Sequence, residues 1–311
     1  MTSTHAADAA IQVAGEEAER LKRAATNAAV LVAGILIVIK AWAWIVTDSV
    51  AMLASLVDSA LDLFASGLNL LAVRHALTPA DREHRFGHGK AEALAGLGQA
   101  AFIGGSAVFL AYQSFERLVS PAPIEQSTTG LIVIAVSIVL TLGLVAFQRH
   151  VVRRTRSLAI SADRLHYVTD VATNGGVVVA LVLSGLYGWN IADPLIGIAI
   201  GAVIALGAIN ILRGSYDELM DRELDDAERE RIKEIVRQHT AVVSLHDLRT
   251  RRSGHRTFIQ LHLELPPMMA LIEAHRISDE VEQAIEAAFP EAEVLIHQDP
   301  AGIEHNRDFR R

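Results

Sequence analysis

The chain of 311 residues contains no cysteine. That excludes disulfides, thiolate metal sites and cysteine nucleophiles, and nothing in the sequence points to an oxidising compartment. It also lacks an excess of basic charge. Up to residue 212 there are 14 Lys and Arg against 15 Asp and Glu, and beyond it 14 against 21. An acidic last third offers phosphates no basic footprint, so no nucleic-acid partner is expected. No short apolar stretch near the start ends in a small-residue cleavage site, so no removable signal peptide is expected. There is no low-complexity tract or obvious repeat, and the loop after residue 147 is rich in arginine, not histidine.

What is abundant is apolar surface. Hydrophobic residues make up 51% of the chain and the mean hydropathy is +0.31. Crossing the hydrocarbon core takes about 20 largely apolar residues in a helix. Six stretches meet this, at 25–47, 50–73, 93–118, 130–147, 165–187 and 191–212. Turns are expected at 47–49 and 188–190, Asp193-Pro194 reads as a helix start, and Pro121 and Pro123 end the third span. Arg20, Lys22 and Arg23 precede the first span. Arg74, Arg82, Arg85 and Lys90 follow the second, and Arg149, Arg153, Arg154 and Arg156 follow the fourth; Arg117 is the main exception in the alternate loops. By the positive-inside rule both termini are cytoplasmic. The expected domains are a cytoplasmic segment 1–24, a six-helix transport domain 25–212, a cytoplasmic domain 213–300 and a tail 301–311. Gly96, Gly98, Gly104, Gly105 and Ser106 in the third span, and Gly197 and Gly201 in the sixth, offer small-residue packing between helices.

A charge at the bilayer centre costs about 2.5–3.5 kcal/mol even on the mildest scale, so Asp58, Asp62, His166 and Asp170 are the informative membrane residues. Asp58 and Asp62 are four apart on one face of the second helix, and His166 and Asp170 four apart on the fifth. Two facing pairs can form a tetrahedral N/O cage for a divalent cation, with an imidazole able to exchange metal for protons. Interhelical hydrogen bonding is the bland alternative. Lys40, towards the outer end of the first span, fits snorkelling and function equally; Asn69 and Gln113 read as packing hydrogen bonds. In the loop after the second helix, Asp81, His84 and His88 could surround one metal, the histidines one turn apart if that stretch is helical.

Beyond residue 212 the pattern changes to helix 228–239, strands 244–252 and 257–265 joined through Ser253–Arg256, helix 271–289 and strand 293–299. This αββαβ order fits a small two-layer α+β domain. Ile259, Leu261, Leu263 and Leu265 share one face of their strand, leaving Gln260, His262 and Glu264 on the other; Val294 and Ile296 likewise oppose His297 and Asp299. His246 lies near the start of the first strand and His275 near the start of the second helix. So many histidines in a short domain favour metal binding over a merely solvated face, whereas His239, His255 and His305 are assigned to surface or turn.

The segments around Asp58 and Asp62, from Pro79 to Glu92, from Leu165 to Asp170, from His246 to Arg251 and from Ile296 to Pro300 together resemble the cation diffusion facilitator family, over roughly residues 20–300. The likeness is to its bacterial zinc/ferrous-iron efflux transporters with six helices and a cytoplasmic tail. The resemblance implies a homodimer in the bacterial inner membrane that exchanges a divalent cation for protons by alternating access. It implies a transport site at Asp58, Asp62, His166 and Asp170, and a loop site at Asp81, His84 and His88. It further implies a paired-metal tail site at His246, His262, His275, His297 and Asp299, with Asp299 as a bridge and Gln298 as an auxiliary ligand, and a dimer charge interlock of Lys90 with Asp221. Zn²⁺ is the favoured cargo and tail ion, with Cd²⁺ and Fe²⁺ behind and Mn²⁺ or Co²⁺ also compatible with the ligands. A membrane-anchored metal sensor and a zinc-dependent membrane hydrolase are the alternatives. The sensor has no need of an intramembrane quartet, and the hydrolase lacks an H-E-x-x-H motif or an extra acid–base group. A transporter and not an enzyme is therefore expected.

Overall fold

The computed structural model describes residues 2–47, 50–119, 128–187, 189 and 191–302. The expected turns at 47–49 and 188–190 fall largely outside these residues, as do Pro121, Pro123 and His305. Among the described residues there are eight helices and three strands: α1 (Thr2–Thr47), α2 (Val50–Ala76), α3 (Lys90–Val119), α4 (Thr128–Thr155), α5 (Leu158–Tyr187), α6 (Ala192–Leu219), α7 (Asp226–Arg237), β1 (Ser244–Ser253), β2 (Arg256–Leu265), α8 (Leu271–Ala288) and β3 (Ala292–Pro300). They divide into two compact units, one of Ala18–Tyr216 and one of Asp217–Arg311 with Met1–Glu17.

The helical unit is built with small residues inside and large ones outside. Its buried apolar positions include Ala25, Ala29, Ala33, Ala43, Ala93, Ala100, Ala107, Ala159, Ala162 and Ala208, whereas Leu31, Val38, Trp42, Phe64, Phe109, Val139 and Val203 are exposed. In water such an exterior would aggregate; in a bilayer it is the lipid-facing surface, and small residues let the backbones approach. Close approach is clearest between α3 and α6. A Cβ on Gly197 would fall 2.1 Å from Ser114 Oγ, and one on Gly201 would fall 3.3 Å from the Ala107 carbonyl oxygen. Gly98, Gly104 and Gly105 face open space instead, so their expected part in helix packing is not borne out.

Five helical stretches, Glu16–Thr47, Ser55–Ala76, Lys90–Val119, Gly130–Thr155 and Pro194–Leu219, are long and apolar enough to cross a membrane. Helix α5, which carries Asp163, Arg164, His166 and Asp170, is not among them. It begins at Leu158, a turn or two before the expected span. Those extra turns hold polar residues that pack against neighbouring helices.

In the second unit β1 pairs antiparallel with β2 and β2 parallel with β3, in the sheet order β1-β2-β3. A hairpin joins β1 to β2 through Gly254, whose φ of 62° is left-handed and costs glycine nothing. The parallel β2–β3 pair needs a crossover, and α8 supplies it. Alternation holds as expected: Ile259, Leu261, Leu263 and Leu265 are buried with Ile232 and Val236 of α7 and Ile277, Val281 and Ile285 of α8. The opposite face of the sheet is therefore left for polar chemistry.

Candidate metal sites

In the helical unit, α2 and α5 place Asp62, His166 and Asp170 together. His166 Nε2 lies 2.9 Å from Asp62 Oδ1 and 3.9 Å from Asp170 Oδ2, and one ligand atom from each lies within 4.8 Å of the others. Such spacing suits one cation. The ring of Phe102 approaches His166 edge-on at 6.0 Å. Asp58 is exposed and stands outside this trio. Beside it, Lys40 does not snorkel: its Nζ donates to Ser59 Oγ at 2.7 Å and to the Ser55 carbonyl at 3.2 Å. Packed against α2, the ammonium finds acceptors that the lipid cannot offer. Asn69 and Gln113 also depart from expectation. Asn69 is buried with no partner for either side-chain atom among the described residues, and Gln113 is exposed.

Two buried polar assemblies accompany the trio. Asp163 accepts hydrogen bonds from Gln148 Nε2 at 2.7 Å, Ser66 Oγ at 3.2 Å and Gln99 Nε2 at 3.4 Å. Ser66 also meets the Tyr167 hydroxyl at 2.8 Å, so side chains of α2, α3 and α4 converge on this one carboxylate of α5. Lys22 Nζ lies 2.5 Å from Glu92 Oε1 with both side chains nearly inaccessible, while Ser157 Oγ donates to Glu92 Oε2 at 2.5 Å. Sequence reasoning missed both, because Lys22, Glu92 and Asp163 fall just outside the apolar spans.

The loop between α2 and α3 forms the second cluster. Asp81 Oδ1 accepts from the backbone N–H groups of His84 and Glu83, at 2.6 and 2.9 Å. The first of these bonds is the main reason its pKa is held below the usual 3.8. Its oxygens lie 3.5 Å from His84 Nδ1 and 3.4 Å from His88 Nε2. The stretch is not helical, as the one-turn spacing would require. Instead the Gly87 N–H bonds back to the His84 carbonyl at 2.9 Å, and Gly87 takes a φ of 78°, a turn that swings His88 beside His84.

The third cluster comes from strand register. His246 pairs with His262 across β1–β2, and His262 with His297 across β2–β3, so three histidines form one row on the face away from the helices. Asp299 lies two residues along β3, on the same face. Its Oδ2 is 2.7 Å from His262 Nδ1 and 3.4 Å from His246 Nε2, and its Oδ1 is 3.3 Å from His297 Nε2. A carboxylate whose two oxygens meet different imidazoles has bridging geometry. Asp247, not foreseen, adds a carboxylate 3.8 Å from His262. It sits at a register shift in β1 with a φ of 49°, and such a bulge can re-aim a side chain. Two expected members stand apart. His275 is exposed and faces Asp279 at 3.5 Å. Gln298 donates to Ser278 Oγ of α8 at 2.9 Å, because alternation puts it on the opposite face from His297 and Asp299. Of the two residues in the expected interlock, Lys90 opens α3 and Asp221 meets Arg251 at 3.3 Å.

A helical unit with an apolar exterior and a carboxylate–imidazole trio between two helices, joined to an α+β unit bearing a histidine row, is the build of a membrane protein that handles metal cations; that it is a transporter and not an enzyme follows from its relatives. Two family profiles cover most of the chain: the cation efflux transmembrane domain at residues 27–220 and the cation efflux protein cytoplasmic domain at residues 224–301. The chain belongs to the cation efflux family. The cation-efflux pump FieF of Yersinia enterocolitica is 50% identical over 284 residues, 91% of this chain and 94% of that protein; FieF of Yersinia pestis matches equally well. Among solved structures, the Zn form of the transporter CzrB matches 28% of this chain and 99% of its own, at 36% identity and a TM-score of 0.26.

Proposed function

We propose that this protein is a homodimeric, proton-coupled exporter of divalent metal cations in the bacterial inner membrane, with both termini cytoplasmic and Zn²⁺ as the favoured cargo ahead of Cd²⁺ and Fe²⁺. The observation that carries the reading is the meeting of Asp62, His166 and Asp170 between α2 and α5. Intramembrane ionisable groups that converge on one point mark an ion pathway. Asp58, one turn from Asp62 and on the same helix face, is the fourth ligand on this reading, brought in when the cation binds. Metal capture requires ionised carboxylates and a neutral imidazole, so binding releases protons, and protons arriving from the other side displace the metal. Helices rocking about a fixed site supply the alternation of access. The 50% identity to pumps named for cation efflux supports the direction of transport.

The loop and tail clusters are cytoplasmic on this reading. Metal held by His246, His262, His297 and Asp299, with His275 recruited in the dimer, tightens the tail pairing, and Lys90 and Asp221 interlock the protomers near the membrane; Gln298, held by Ser278 on the opposite face, supports α8. The test is metal flux into proteoliposomes under an imposed pH gradient, comparing Zn²⁺, Cd²⁺, Fe²⁺ and Mn²⁺. Flux that follows the gradient and is greatest for Zn²⁺ is expected. Metal binding without flux of any ion would overturn the exporter reading in favour of a membrane-anchored sensor.

A further inference from the structure

The loop cluster brings three ligands to one point, and the structure holds a third imidazole beside it that the sequence motif does not include. His75, in the last turn of α2, packs edge-on against the ring of His88 at a centroid distance of 4.6 Å; His84 meets the same ring at 4.6 Å. We propose that His75 is the fourth ligand of the loop metal site, giving it a closed set of three histidines and Asp81. This rests on the reading of Asp81, His84 and His88 as a metal site.

Three features support it. The first is orientation. The Thr78 carbonyl can only accept, so its contact with His88 Nδ1 at 3.3 Å places a proton on Nδ1 and leaves Nε2 facing Asp81 Oδ2 at 3.4 Å. With Nδ1 engaged by the carbonyl, Nε2 is the nitrogen turned toward the carboxylate and the one placed to share a cation with it, and the carbonyl plays the orienting part that such groups play behind metal-bound imidazoles. The second is spacing. Zinc bonds of about 2.0–2.1 Å in a tetrahedron put neighbouring ligand atoms about 3.3 Å apart. The separations to the two histidines, 3.4 Å from Asp81 Oδ2 to His88 Nε2 and 3.5 Å from Oδ1 to His84 Nδ1, are close to that length, and with one ligand atom from each residue within 4.8 Å of the others three corners are gathered and one is left. The third is reach. His75 is exposed, so its ring can turn about its side-chain bonds. Its own turn is tied to the site, because the Thr78 N–H bonds to the His75 carbonyl at 2.9 Å and Thr78 in turn holds His88. In the conformation described, the three ligand atoms of Asp81, His84 and His88 are gathered; a ring rotation by His75 completes the set.

A closed four-ligand site holds its metal, whereas three ligands with an open corner pass it on. With His75 the loop metal staples the end of α2 to the segment leading into α3. A third imidazole also biases the site toward Zn²⁺ and Co²⁺ and away from Mn²⁺, which prefers oxygen and six ligands.

The test is Co²⁺ titration of the full-length protein in detergent, read by visible absorption, for wild type, His75→Phe and His84→Ala. The wild-type minus His84→Ala difference isolates the loop site. It should show the intense d–d bands of four-coordinate Co²⁺. His75→Phe, which keeps an aromatic ring against His88, should retain one loop Co²⁺ but with its d–d bands shifted and weakened as water takes the imidazole's place, and with affinity reduced roughly tenfold or more. A His75→Phe spectrum and affinity equal to wild type would overturn the fourth ligand while leaving the three-residue site standing. No difference between wild type and His84→Ala would overturn the loop site itself, and the proposal with it.

Discussion

Replacing Lys22 by methionine removes the cation paired with a carboxylate that is almost sealed from water. Glu92 is 2% exposed and Lys22 1% exposed. Their contact at 2.5 Å joins α1 to α3, while Ser157, immediately before α5, ties in the start of that helix through the second carboxylate oxygen. Breaking a buried ion pair by deleting one partner costs about 3–5 kcal/mol, because the survivor stays buried without compensation. The Ser157 hydrogen bond persists in the variant, which argues for the lower end, about 3 kcal/mol. That is more than a hundredfold in the unfolding equilibrium, since about 1.4 kcal/mol is tenfold. Changing both partners, Lys22→Met with Glu92→Gln, removes the charge along with its counter-charge and keeps an acceptor for Ser157. It should recover most of the loss, to within about 1 kcal/mol of wild type. Equilibrium unfolding in mixed detergent micelles, followed by circular dichroism, measures all three chains. A single variant within about 0.5 kcal/mol of wild type, or a double variant worse than the single, would refute the buried-pair argument.

Asp163→Ala should destabilise the helical unit by about 1–3 kcal/mol through stranded donors on Gln148, Ser66 and Gln99; the same unfolding assay should show Asp163→Asn costing less. Gly197→Leu should weaken or misplace the α3–α6 packing by about 1–3 kcal/mol, because its Cβ would meet Ser114, whereas Gly104→Ala, with nothing within 4 Å, should leave the melting temperature unchanged. Asp81 has its folded pKa depressed below 3.8 by the His84 and Glu83 N–H groups. Its contribution to loop order is therefore fully present above that value and lost as pH falls below it. Hydrogen exchange at the His84 amide should show protection unchanged between pH 7 and pH 5 and reduced, after correction for intrinsic exchange, only once the pH falls below 3.8 through the depressed folded pKa.

The membrane residues legible in the sequence were those inside apolar runs. Asp62, His166 and Asp170 stand out because lipid penalises them, and helical spacing puts each pair on one face. Lys22, Glu92 and Asp163 are equally buried, yet each lies just beyond a run scored as apolar and so reads as a loop charge. The helices outlast the apolar stretch, as α5 does from Leu158, and their polar end turns pack against one another. The signal available for Asp163 was its place on the face of His166, Tyr167 and Asp170 at helical spacing. In the tail, alternation was enough to separate core from polar face and to keep His262, His297 and Asp299 off the core. The row of His246, His262 and His297 depends on pairing register between strands far apart in sequence, which alternation alone does not fix. The loop illustrates the same limit: the residues were visible, but the turn at Gly87 that brings His88 to His84, and the approach of His75 from α2, come from the folded chain.

The most direct test of the transport site is zinc flux by Asp62→Ala and Asp170→Ala in proteoliposomes, with each protein first shown by size exclusion to keep the oligomeric state of wild type. Both variants should lose pH-gradient-driven Zn²⁺ flux while remaining folded. Near-normal flux by both would contradict the assignment of the cation path to the meeting of α2 and α5.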